Sequence, residues 1–194
     1  MHRSMVILFS LAIAASASGA IGCSSSTSGS GGNSGSGSGG TTCSSSTVSF
    51  KADIIPIMQN SCSLTSVCHG TMNYAMAENL YLGPNLSDQP SGDTASDIQT
   101  AHDNIVNVTA QESTLKFVVP GDLADSYLWQ KINGDPNSVP AVQASCVAAE
   151  AANACTDCST TTPCGAQMPY LSEPLTSDQL CTFQNWILGG ALNN

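Results

Sequence analysis

The chain has 194 residues, enough for one folded domain with appendages, and carries 4 basic against 14 acidic residues for a formal net charge of −10. That balance argues against nucleic acid or an anionic membrane surface as a partner, because both repel an acidic protein. Nine cysteines point to an oxidising compartment and to disulfides, where the same count in a cytosolic enzyme would suggest metal ligation.

Residues 1–22 are predicted to be an export signal. Arg3 lies in a short polar start, and the apolar stretch from Met5 to Ala15 is too short to serve as a stable bilayer span. Ala20-Ile21-Gly22-Cys23 resembles a bacterial lipobox, with Cys23 as the lipid-bearing residue. The alternative is ordinary cleavage near Ala15-Ser16-Ala17 and free secretion. Residues 23–46 are almost entirely Ser, Gly and Thr. Such a segment buries too little apolar area to offset its ordering entropy, so it is read as a tether with a reach of about 25–30 Å. The folded domain is then 47–194, in the cell envelope, facing the periplasm or the cell surface and held to the membrane by lipid alone.

Within that domain, Ser49 to Cys62 is predicted to be a short helix. Ile54, Ile57, Met58 and Cys62 share one face, and Pro56 is acceptable only near the first turn. Residues 70–93 are rich in Gly, Pro, Asn, Asp and Ser and read as loop. Asp97 is the expected cap of a helix burying Ile98, Ala101, Ile105 and Val106. Pro120-Gly121-Asp122 marks a turn, and Asp125 is the expected cap of a helix carrying Leu128, Trp129 and Ile132 and stopped by Gly134. Residues 135–167 read as a long irregular insert supported by disulfides. The last helix is the clearest. Thr176 and Gln179 form a capping box, Leu175 and Leu180 a hydrophobic staple, Leu180, Phe183 and Ile187 a buried stripe, and Gly189-Gly190 the stop. The domain is therefore expected to be all-α with long loops and a disulfide-stapled insert.

The segment from Cys62 through Cys68 to His69 carries the chemistry. It nearly matches the haem-attachment signature, in which two cysteines bond the porphyrin and the next histidine ligates iron. The usual spacer is two residues; here residues 63–67 make it five, and the extra residues must loop out. A second axial ligand is expected from Met168, a soft thioether in the stiffened Gln167-Met168-Pro169 turn. Met72 and Met76 are too close to His69 to reach the opposite face, and Met58 belongs to the preceding helix.

Several further segments, in this order, are similar to the class I cytochrome c family, specifically to cytochrome-c-like domains of bacterial exported lipoproteins. They are residues 50–57, Cys68-His69-Gly70, Val119 to Asp122 leading to Ser126-Tyr127-Leu128, Lys131 to Gly134, Met168-Pro169, and Pro174 through Trp186-Ile187 to Ala191. The resemblance implies a cytochrome c-like fold, covalent haem c on Cys62 and Cys68, and His69 and Met168 as iron ligands. It also implies single-electron transfer rather than catalysis, with a redox protein partner, for which the acidic surface suits a basic one. Two alternatives to attachment through both sulfurs stay open at this point. Haem is attached through one sulfur or held without a covalent bond, or the domain is haem-free with a Cys62–Cys68 disulfide and a structural or partner-binding role. A third role is an electron-entry module of a larger oxidoreductase complex.

With Cys23 lipidated and Cys62 and Cys68 on haem, six cysteines remain for three disulfides: Cys43, Cys146, Cys155, Cys158, Cys164 and Cys181. A Cys164–Cys181 staple would hold the Met168 loop against the last helix. A four-thiolate zinc site from Cys146, Cys155, Cys158 and Cys164 is the weaker reading in an oxidising compartment. His102 reads as a surface or core histidine rather than a ligand, the two tryptophans as core residues, and Asp122 and Asp135 as turn residues. No nucleophile elbow or phosphate loop is present.

Overall fold

The computed structural model describes residues 43–65, 68–71, 79–85, 94–152, 162–170 and 172–194. The signal and Cys23, the tether as far as residue 42, Met72, Met76, Cys155 and Cys158 lie outside the described residues. Among the described residues the regular structure is helical, with no strand. It comprises α1 (Ile55–Ser61) continuous with a π-helical turn (Phe50–Ile54), α2 (Ala95–Asp103), α3 (Tyr127–Asn133), α4 (Pro140–Ala151) and α5 (Ser177–Leu188), with a 3-10 turn at Pro136–Ser138. Among the described residues β-type pairing takes the form of isolated bridges such as Val106 with Val118. No described helix is long and apolar enough to cross a membrane.

The first helix starts where its polar residues allow. Ser49 Oγ accepts from Ala52 N at 3.1 Å, and Ser49 N donates to Asp53 Oδ2 at 2.8 Å, so two end groups satisfy each other. Asn194 adds acceptors at the same end, taking Lys51 N at 3.2 Å and Phe50 N at 3.0 Å. Pro56 lies in the first turn of α1, as expected. The π turn ahead of it, in which Ile55 N reaches back to Phe50 O, widens the backbone. A widened turn accommodates a ring that lacks an N–H and would collide with the carbonyl one α-turn back.

Phe50, Ile54 and Met58 meet Ile98 and Ala101 of α2, Leu128 and Ile132 of α3, and Phe183, Trp186 and Ile187 of α5 in one core. Phe50 stacks on Trp186 with ring centroids 5.2 Å apart and takes the edge of His102 at 5.1 Å. His102 Nε2 lies 2.8 Å from Ala191 O. Both tryptophans are thus core residues, as their sequence contexts suggest, and His102 is a half-buried residue packed at the core's edge.

Three local expectations change. Thr94, not Asp97, caps α2: Thr94 Oγ1 accepts from Asp97 N while the Asp97 carboxylate takes Thr94 N at 3.2 Å. Asp125 does not cap α3. Ser126 occupies the cap position but turns its hydroxyl away, accepting from Val119 N at 2.8 Å and donating to Asp122 O. The insert is not irregular, because it contains α4. Pro140 sits in the first turn, where its missing N–H costs nothing, and Val142, Ser145, Cys146 and Ala149 form a buried stripe at helical spacing. The Thr176–Gln179 capping box of α5 is present, and Phe183 and Ile187 are buried with Trp186 beside them, while Leu180 is half-buried against the same core.

Disulfides join Cys43 to Cys181 and Cys146 to Cys164. The expected Cys164–Cys181 staple is therefore overturned, because each sulfur has another partner. A zinc site needing both Cys146 and Cys164 as thiolates falls with it. The Cys43–Cys181 bond also changes the start of the folded part. Cys43 is bonded to α5, and Asn185 Nδ2 donates to Ser44 O at 2.8 Å, so residues 43–46, read as the end of the tether, are fastened to the domain.

Candidate functional site

Cys62 is the residue after α1, its N–H donating to Met58 O at 2.7 Å. The chain then leaves α1 for the five-residue spacer, of which residues 66 and 67 lie outside the described residues. Ser63 is buried, Leu64 and Thr65 are exposed, and Cys68 N donates to Thr65 O at 3.1 Å. His69 N closes the excursion on Cys62 O at 3.1 Å. A backbone bond thus joins the first cysteine to the histidine across the longer spacer. His69 O accepts from Leu82 N at 2.9 Å, and the His69 Nδ1 atom lies 3.0 Å from Leu80 O. Gly70 lets this turn pack closely: a Cβ there would stand 2.8 Å from Asn85 Cβ and 3.1 Å from Ser63 O.

A carbonyl only accepts, so Nδ1 carries the proton and Nε2 is left as the basic nitrogen of a neutral ring. Burial holds the His69 pKa below its ordinary value; the Leu80 bond opposes this, nearby Lys131 reinforces it and Glu112 opposes it. Both effects leave an imidazole ready to ligate a metal. Cys62 and Cys68 are not disulfide-bonded, so the bridge expected for the haem-free alternative is not formed. Burial of the Cys62 thiol, with Cys68 adding to it, pushes its pKa up to about 12. The thiol therefore stays protonated and slow to oxidise at neutral pH.

Cys62, Cys68, His69 and Met168 all line one cavity of about 490 Å³, within the usual range for a small-molecule or cofactor site. Its walls are largely apolar, from Leu80, Leu82, Phe117, Leu128 and Ile132. Leu64 and Tyr170, 47% and 63% exposed, stand at its mouth. Met168 is brought there by α3: its N–H donates to Lys131 O at 2.8 Å, and its side chain packs on the main core.

Sequence reasoning missed one wall. Lys131, 6% exposed, donates from Nζ to Glu112 Oε2 at 2.9 Å and to Cys164 O at 2.8 Å. The Tyr127 hydroxyl lies 2.9 Å from each of the same two acceptors and donates to one at a time. Burial, then the neighbouring Glu112 charge, pushes the Tyr127 pKa far up, so it stays a phenol. The one available signal was Lys131 lying one turn after Tyr127 on a helix with a buried stripe; Glu112 is remote in sequence, and no spacing rule connects it. Among the described residues no group of three or more His, Cys, Asp or Glu side chains could hold a metal ion.

No protein-family model, no curated protein and no solved structure matches the chain.

Proposed function

We propose that the chain is a monohaem c-type cytochrome with a cytochrome c-like fold, carrying single electrons in the cell envelope and tethered through a lipid on Cys23. The observation that carries this reading is the convergence on one cavity of two unpaired thiols, a neutral histidine with a free Nε2 and a methionine. The return of His69 N to Cys62 O across the five-residue spacer supports it, because it keeps the first cysteine beside the histidine.

The donor set fits haem. Cys62 and Cys68 would anchor the porphyrin, and His69 and Met168 would hold the iron. The apolar walls would cover the ring and exclude water, which keeps the reorganisation around a changing charge small. When bound, haem supplies a one-electron iron couple whose potential a His/Met pair raises. The chain's own contribution is orientation. The Leu80 carbonyl fixes the histidine tautomer, and the π turn and α1 carry Cys62 to the cavity edge. The acidic surface favours docking to a basic redox partner.

The test is the exported chain made together with haem-maturation machinery. Haem stain should stay with the polypeptide on a denaturing gel, a Soret band should be present, and Cys62→Ser with Cys68→Ser should abolish the stain. A colourless wild-type protein with both thiols free would sink the cytochrome reading and favour a haem-free structural or partner-binding domain.

A further inference from the structure

Taking Met168 as an iron ligand, as proposed above, we infer that Lys131 is the positioning residue that sets Met168 on the cavity. One residue holds the 164–168 segment to α3 at two points. Its backbone carbonyl accepts from Met168 N at 2.8 Å, and its Nζ donates to Cys164 O at 2.8 Å. The contacts bracket the chain that leads into the methionine.

The rest of the network keeps that ammonium in place. Glu112 Oε2 takes a second Lys131 N–H at 2.9 Å, and Tyr127 shares the acceptors from one turn earlier on α3. Gly165, at φ +65°, lies directly on the pair: a Cβ there would stand 3.0 Å from Glu112 Oε1 and 3.1 Å from Lys131 Nζ. Asn137 grips the same segment from another side, accepting from Cys164 N at 3.0 Å and donating to Gly165 O at 2.8 Å.

A buried ion pair is a poor source of net stability, since an apolar replacement of similar volume does as well or better. What a buried pair does supply is direction: the ammonium is satisfied only when the Cys164 carbonyl is where it is, and that requirement fixes the loop carrying Met168. The hydrogen bonds of the pair run to Cys164 and Tyr127, so its hold on chain position should act on the methionine side. Its two charges also bear on the His69 pKa, Lys131 lowering it and Glu112 raising it.

The experiment uses the full mature chain, haem-loaded, with Lys131→Met, Lys131→Arg and the paired Lys131→Met/Glu112→Gln, which removes both charges without stranding one. Three quantities are read: amide exchange at residues 164–168, the NMR signature of an iron-bound methionine methyl, and the reduction potential. Lys131→Met and the paired variant should speed exchange on the order of tenfold, as for a lost charge-assisted hydrogen bond. They should also lose the methionine signature and lower the potential, and Lys131→Arg should restore all three towards wild type. A folded paired variant with exchange, signature and potential unchanged would overturn the inference. A colourless wild-type protein would overturn the haem reading instead. In that case the exchange measurement still decides the strap, and unchanged rates at 164–168 would remove it too.

Discussion

The two sides of the cavity are built by different physics. The thiol–histidine side is local: Cys62, Cys68 and His69 are tied by backbone bonds to Met58, Thr65 and one another, with Leu80 and Leu82 shortly after. The methionine side is assembled from far apart in the chain. Met168 is held through Lys131, Glu112, Tyr127 and Asn137, and through the Cys146–Cys164 disulfide at the base of the same loop. A side closed by short backbone loops tolerates the loss of a distant contact. A side made of long-range contacts depends on each of them, and it is where perturbation should first loosen the site.

Removing the Cys146–Cys164 bond should make the largest difference between the two. With a separation of 18 residues, the chain-entropy cost of its loss is about 3 kcal/mol. Cys146→Ser with Cys164→Ser should lower the urea midpoint and raise amide exchange at 164–168 while residues 68–70 keep their protection. Equal loss of protection on both sides would erase the distinction.

Gly70→Ala should strike the other side. The added Cβ meets Asn85 Cβ and the Ser63 carbonyl at 2.8 and 3.1 Å, atoms of the backbone or bound to it, so overpacking should cost about 2 kcal/mol. Exchange should rise first at residues 68–70 and 82, with 164–168 little changed, as read by the same exchange map.

The smallest effect is a pH slope. In the haem-free chain burial depresses the His69 pKa below its unfolded value, near 6.5, so the unfolded state binds the proton more readily. Stability from this group is complete above about pH 6.5 and is lost as pH falls through the folded value. Urea denaturation from pH 8 to pH 5 should show wild type losing stability relative to His69→Asn only below about pH 6.5. Parallel curves across that range would mean that His69 is not held neutral by the fold.

How much of this was legible beforehand follows the same division. The α5 capping box, the α3 stripe ending at Gly134 and the core positions of Trp129 and Trp186 rest on residue type and on spacings within a few residues, and all hold. The cap misreadings at Asp97 and Asp125 are one-to-three-residue errors, because Thr94 and Ser126 compete for the same backbone groups. The 142, 145, 146 and 149 stripe of α4 was readable too, but the cysteine and alanine content of the insert obscured it. Disulfide partners were not readable: Cys164 and Cys181 are close in sequence, yet each pairs elsewhere. Residues 43–46 looked like linker by composition and are fastened by contacts that composition does not encode.

The sequence by itself determined the helical character, the buried stripes of most helices, the cap of α5 and the four residues expected at the site, because those depend on side-chain type and short-range periodicity. Only the tertiary structure decided that His69 N bonds Cys62 O, that Met168 faces the same cavity as His69, and that a buried lysine–glutamate pair lines its wall. These rest on distances between residues far apart along the chain. Close packing sets such distances once every element is in place, and no local spacing specifies them.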